Sequence, residues 1–219
     1  NHNMTKHKNI IILSTLLLLI IYVVGIVGIL GESGAWYASL TSYNLLFVAV
    51  LLAITHGKFD RRDVYILLFS AITGFGFEAI GVNTGWIFGS YEYGEALGIK
   101  LLDVSVVIGL NWAILTYCTM VIATKTSSNR WIKSLLGALL MVGLDVLIEP
   151  VAIKLDFWSW GLHNPPPLQN FIAWFIIAYL IQLVSFTIKP EFKNNFAVVV
   201  FLVLVVFFTI INFGLNTSI

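Results

Sequence analysis

Cysteine, charge and metal-ligand patterns are all scarce in this 219-residue chain, and each scarcity removes a class of explanation. The one cysteine, Cys118, lies inside an apolar run and excludes an intramolecular disulfide. Only 11% of the residues are charged against 59% hydrophobic, which a soluble domain of this size cannot sustain. The net charge of +1 is carried by short basic clusters between apolar runs, so no basic face exists for nucleic acid. The four histidines form no HxxxH or HxxEH spacing and no Cys/His cluster, which disfavours zinc and di-iron sites. His163, in a polar connection, reads as solvated. Glycine-rich phosphate loops and Ser-His-Asp patterns are absent too.

What is abundant is long apolar sequence, with a mean hydropathy of +0.94. Runs of spanning length fall at roughly 10–30, 36–55, 64–80, 104–124, 132–153, 169–188 and 195–214. They predict an all-α polytopic membrane bundle of about seven transmembrane helices, forming one transmembrane domain over 1–219. Asn1 to Asn3, before Met4, read as an expression scar. The first run is long and ends without a small-residue cleavage motif, so it reads as a transmembrane helix rather than a signal peptide. With the N-terminus inside, ten of the twelve basic residues fall in inner segments and only Lys100 and Lys154 in outer ones. That asymmetry predicts a multi-pass protein of the cell (cytoplasmic) membrane with its C-terminus outside.

The acids show the opposite bias. Asp60, Asp63 and Glu191 are inside, and the other eight lie in outer loops or outer halves of helices. Two stand out: Asp145 and Glu149, four residues apart in the apolar run Leu135 to Ala152, share one helical face. A charge near mid-bilayer costs at least ~2.5–3.5 kcal/mol, so an acid pair there marks a functional site by default. A rise of ~1.5 Å per residue puts Asp145 about 20 Å from the inner end, with Glu149 one turn further out. Pro150 cannot bond the carbonyl of Val146, leaving an extra acceptor beside the pair. Two close carboxyls in low dielectric do not both ionise, and a proton held beside an apolar cavity is a general acid. The bland alternative is a structural acid bonded to a neighbouring helix. Glu78 and Asn111 reach similar depth if the helices carrying them adjoin that of Asp145.

The connection 81–103 is too polar and glycine-rich for an ordinary span and too aromatic for a plain loop. Gly81, Gly85 and Gly89 recur every four residues, either as a small-residue strip for helix packing or within a re-entrant or interfacial segment that caps a cavity. Trp36, Trp86, Trp158 and Trp160, with Tyr91 and Tyr93, suit an aromatic belt at the outer boundary. Trp112 and Trp174 lie deeper, where an aromatic face can stabilise a cation.

Three blocks carry a resemblance to a known family. The first runs from Phe77-Glu78-Ala79-Ile80-Gly81 through Gly85, Phe88-Gly89-Ser90-Tyr91-Glu92-Tyr93 and Leu97-Gly98 to Asn111-Trp112. The second is Leu144-Asp145-Val146-Leu147-Ile148-Glu149-Pro150-Val151-Ala152 with Trp158-Ser159-Trp160, and the third Pro165 to Pro167 with Asn170-Phe171-Ile172-Ala173-Trp174-Phe175. Together, over about 77–175, they resemble the membrane carotenoid-biosynthesis proteins that include the carotenoid 1',2'-hydratases acting on gamma-carotene and bisanhydrobacterioruberin. The chain departs from the family in having Glu149-Pro150 where Asp-Pro is usual, and in lacking a Gly-Val-Pro stretch near Leu102 to Ser105.

The resemblance implies hydration of the terminal C=C of an acyclic carotenoid end group to a tertiary alcohol, with no cofactor and no metal. It implies a catalytic set of Asp145 as proton donor, with Glu149 and Glu78 tuning it or positioning the water. Trp160, Tyr91 and Trp112 become cation stabilisers, and Asn111, Tyr93, Asn170, Trp174, Gly85 and Gly89 join them around the substrate. The expected partners are a membrane-dissolved carotenoid, the lipid bilayer and other enzymes of the carotenoid pathway. Competing readings are a carotene cyclase, which shares the first protonation, and a prenyltransferase, for which Asp145-xxx-Glu149 is half a magnesium–diphosphate motif without basic partners. A proton-coupled transporter lacks visible inverted repeats, and a retinal protein lacks a lysine in the last run.

Overall fold

The computed structural model describes residues 2–161 and 165–217; His163 and Asn1 lie outside them. Among the described residues the chain forms eight helices and four two-residue strands: α1 (His2–Leu30), α2 (Gly34–Ser39), α3 (Thr41–His56), α4 (Arg61–Thr84), β1 (Glu92–Tyr93), β2 (Lys100–Leu101), β3 (Val104–Ser105), α5 (Val107–Thr124), α6 (Arg130–Lys154), β4 (Trp158–Ser159), α7 (Leu168–Ile188) and α8 (Asn195–Thr217). This is an all-α membrane bundle. Six of the helices are long and apolar enough to cross a membrane.

The run 36–55 differs from the expected continuous span. It breaks at Leu40, where the hydroxyl of Ser39 donates to the carbonyl of Trp36 at 2.7 Å and closes α2 after six residues. The remaining helix, α3, has 16 residues, about 24 Å, which is short for a full crossing.

Helix starts follow local chemistry. Asp60 caps α4 by accepting from the backbone N–H of Arg62 and Asp63, while Asp63 accepts from the N–H of Asp60 in return. Asn129 caps α6 through the N–H of Trp131 at 2.9 Å. Pro165 to Pro167 cannot extend a helix backwards, so α7 begins at Leu168.

α5 is buried along nearly its whole length and forms the axis of the bundle, with α4, α6 and α8 packed on it. α7 lies along α6, and α1 lies on α8. Exposed Leu, Ile and Val cover the outer faces, for example Val27, Ile72, Leu180 and Leu202, as a lipid-facing surface requires. The expected inner segments meet at one end of the bundle. There Lys189 Nζ lies 2.5 Å from Asp63 and 3.2 Å from Asp60, His56 bridges Asp63 and Tyr117, and Lys125 reaches Asn195 at 2.9 Å. At the opposite end the two long connections are laced together by antiparallel pairing of β1 with β4, Glu92 opposite Ser159 and Tyr93 opposite Trp158.

Candidate active site

The connection after α4 is neither a helical strip nor a free loop. Gly81 still belongs to α4, Gly85 closes that helix in the left-handed region at φ +69°, and Gly89 lies beyond it, so the three share no helix face. β2 and β3 then form a tight hairpin whose turn residues, Leu102 and Asp103, both have positive φ, 53° and 63°. Asn83 braces that turn by donating to the carbonyl of Leu102 at 3.1 Å. The segment buries Phe88, Tyr91, Tyr93 and Leu97 against the bundle while Trp86 and Ile99 stay exposed, as a cap over a cavity does.

Beneath the cap lies a small pocket lined by Glu78, Tyr91, Tyr93, Ile108, Asn111, Asp145, Ile148, Glu149, Trp158, Trp160, Asn170 and Trp174. No lysine, arginine or histidine is among these lining residues. α4 brings Glu78, α5 brings Asn111, α6 brings Asp145 and Glu149, and α7 brings Asn170 and Trp174; the cap supplies the rest. Among the described residues, no three His, Cys, Asp or Glu side chains cluster closely enough to hold a metal.

The three carboxyls are buried, but they are not equally partnered. Glu78 accepts from the hydroxyls of Tyr91 and Tyr93, the latter at 3.0 Å, on Oε2, and from the indole of Trp112 at 3.3 Å on Oε1. Glu149 accepts from the indoles of Trp158 and Trp160 at 3.0 and 2.9 Å on Oε2, and from Asn170 at 3.0 Å on Oε1. Asp145 receives one long contact, 3.4 Å from the amide nitrogen of Asn170 to Oδ2. Burial first, and then the adjacent Glu78, push the Tyr91 and Tyr93 hydroxyls well above their ordinary range, so both stay donors.

The aromatics are placed by close approach. Trp112 lies flat on α4 only because residue 74 is glycine: a Cβ there would sit 2.2 Å from the indole. Trp112 stacks on Trp174 with centroids 4.0 Å apart, and Tyr91 leans on Trp160 at 4.9 Å. Gly85 and Gly89 were expected around the substrate, yet neither lines the cavity; both shape the cap. Gly89 has φ +104°, and a Cβ there would meet Pro167 at 2.9 Å. Trp158 was assigned to the aromatic belt, whereas its indole bonds Glu149. The signal for it was the Trp-Ser-Trp spacing, which in extended chain puts both indoles on one side.

Ile108, Asn111, Ile148 and Trp158 also wall a second, apolar cavity. Leu115, Leu144 and Val151 continue its wall, and helices outside 77–175 complete it: Tyr22 and Ile29 of α1, Asn44 and Leu45 of α3, and Leu204 and Phe207 of α8. Tyr22, Ile29, Thr41, Asn44 and Phe207 are shared in turn with a third cavity, whose lining includes Val24 on the exposed flank of α1. The three cavities thus share walls in sequence, from the carboxyl cluster to the flank of α1 beside α3.

The fold and this site define a class: a multi-helix membrane protein with an acidic, aromatic-walled pocket beside an apolar cavity. The profile of the family described as carotenoid biosynthesis protein matches residues 39–219, and the chain belongs to that family. Over 124 residues it is 30% identical to the bisanhydrobacterioruberin hydratase of Haloarcula japonica, a match covering 53% of this chain and 42% of that protein's length. The chain therefore spans less than half of that relative. No solved structure matches significantly. Family membership and the relative together support a carotenoid-modifying role and an enzyme.

Proposed function

We propose that the protein is a carotenoid hydratase that adds water across the terminal C=C of an acyclic end group. The observation that carries this reading is the unequal partnering of the three carboxyls. Glu78 and Glu149 each accept three hydrogen bonds, which engage both oxygens of each carboxyl. Asp145, with one long contact, is the carboxyl free to carry a transferable proton.

Asp145 protonates the alkene at its less substituted carbon, leaving a tertiary carbocation. The carboxyl oxygens of Glu78 and Glu149 and the faces of Trp160, Tyr91 and Trp112 turn electron density toward it. Water then forms the C–O bond, and its surplus proton returns to the Asp145 carboxylate. The polyene reaches the site from the bilayer through the adjoining cavities, so its apolar length never crosses water. The protein sits in the cell membrane with its N-terminus inside, as the basic asymmetry supports.

Expression in a lycopene-accumulating bacterium tests the reading: the expected product is heavier by one water, and labelled water places its oxygen in the new hydroxyl. Anaerobic, chelator-treated membranes should stay active. A product without the mass gain would make the protein a cyclase, and oxygen from O₂ would make it a hydroxylase.

A further inference from the structure

Hydration differs from cyclisation or isomerisation only in what captures the cation, so the group that holds the water decides the product. In the carboxyl pocket nearly every polar side chain is already committed: Glu78, Glu149, Asn170, the two tyrosine hydroxyls and the indole N–H groups of Trp158 and Trp160 all bond one another. The exceptions are the indole N–H of Trp174, which offers no acceptor, and the amide of Asn111. Asn111 lines both the acidic cavity and the apolar one, it is half-buried, and among the described residues its amide makes no hydrogen bond. On α5 it shares its face with Ile108 and Leu115, which wall the apolar cavity, so its amide stands where that cavity adjoins the acid pocket. An unpartnered amide in apolar surroundings is destabilising, and a bound water relieves it.

We infer that Asn111 is the positioning residue for the nucleophilic water, an inference that rests on the hydratase reading. Its carbonyl oxygen accepts a hydrogen bond from the water and turns an oxygen lone pair toward the cationic carbon. The proton on Asp145 passes to the alkene CH carbon, the water oxygen bonds the tertiary carbon, and one proton of the resulting oxonium returns to Asp145. Asn111 neither gains nor loses a proton. Without the held water the cation survives until it sheds the proton it gained, or another, and an alkene is regenerated.

Deuterium separates the two fates. In D₂O, protonation followed by loss of a different proton leaves deuterium in the recovered lycopene or its double-bond isomer, while capture yields the alcohol. The test uses wild type, Asn111→Leu and Asp145→Asn in lycopene-loaded membranes, with alcohol and label both measured by mass spectrometry. For Asn111→Leu the expected result is a fall in alcohol of at least about tenfold with labelling of recovered lycopene maintained, raising the exchange-to-hydration ratio by the same factor. Asp145→Asn should lose both. Asn111→Asp, which keeps an acceptor oxygen in place, should retain hydration. An Asn111→Leu variant with the wild-type ratio, or one that loses labelling together with hydration, overturns the inference; Asn111→Ala is judged by the same ratio if the leucine variant does not accumulate. Wild type giving neither alcohol nor label would instead defeat the hydratase reading, and this inference with it.

Discussion

Asn170 on α7 joins Asp145 to Glu149: its amide nitrogen lies 3.4 Å from one carboxyl and 3.0 Å from the other. An asparagine amide has two N–H donors, so one side chain serves both acids and fixes their spacing across the α6–α7 contact. Asn170→Ala leaves buried acceptors unsatisfied at a cost of about 1–3 kcal/mol. The variant should melt earlier in detergent and convert substrate about tenfold or more slowly, since the donor acid is no longer held in place. Asn170→Asp, which swaps two donors for an acceptor, should fall further. Unchanged melting and turnover in both variants would detach Asn170 from the site.

The carboxyls should rank. Asp145→Asn keeps shape but removes the transferable proton, so conversion should drop by about 10²–10⁴-fold while folded protein accumulates. Glu149→Gln and Glu78→Gln keep a carbonyl acceptor for most of their donors and should lose less. Product yields from equal amounts of membrane protein decide the order, and a Glu variant more damaged than Asp145→Asn would reassign the proton.

Much of this site was legible from spacing. Asp145 and Glu149 declared themselves because acids in a spanning run need a reason to be there. Glu78 and Asn111 entered by their depth along neighbouring runs and Asn170 through resemblance, and the pocket brings all of them together. What spacing could not show was any contribution from apolar helices. Tyr22, Asn44 and Phe207 look like ordinary lipid-facing or core residues, and only packing reveals that they wall the apolar cavity. Gly85 and Gly89 misled for a related reason. A regular four-residue interval resembles a packing stripe, but left-handed backbone at 85 ends the helix before the stripe is complete. The break at Leu40 was hidden because α2 and α3 are both apolar, and hydropathy does not register a change of direction.

Trp158 and Trp160 should be unequal to other boundary tryptophans. Each donates to Glu149 Oε2, so Trp158→Phe or Trp160→Phe removes one bond while keeping an aromatic face. Each should lower stability by about 1–3 kcal/mol and cut conversion, whereas Trp86→Phe, whose ring is exposed, should do neither. Thermal melts and carotenoid yield of the three variants provide the comparison.

Alkaline pH should weaken the cap through Tyr91 and Tyr93. Burial, and after it Glu78, raises both hydroxyls above their range in the folded protein, whereas in the unfolded chain they ionise near pH 10. Above that value the unfolded state binds fewer protons than the folded one, so stability is whole below about pH 10 and declines above it. A Tyr91→Phe, Tyr93→Phe double variant should show a shallower loss of melting temperature between about pH 8 and about pH 11 than the parent. An equal slope would mean that these hydroxyls ionise in the folded state as freely as in the unfolded chain.

Access from the bilayer gives the last prediction. Gly25 lines the outermost cavity on α1, and a Cβ there would sit 3.5 Å from Phe207, an ordinary contact that the bundle tolerates. The ring of Gly25→Phe would instead occupy the space of that cavity and obstruct a long polyene on its way to the acid pocket. Gly143→Phe is the control: residue 143 is exposed on α6 and its Cβ would meet nothing within 4 Å. Conversion of a full-length acyclic carotenoid should fall in Gly25→Phe and hold in Gly143→Phe. A short isoprenoid hydrocarbon with the same terminal C=C should still be hydrated by Gly25→Phe, because it fits within the inner two cavities. If Gly25→Phe converts the long substrate as the parent does, the polyene reaches Asp145 by another route, and the cavity between α1 and α3 is a packing defect rather than a passage.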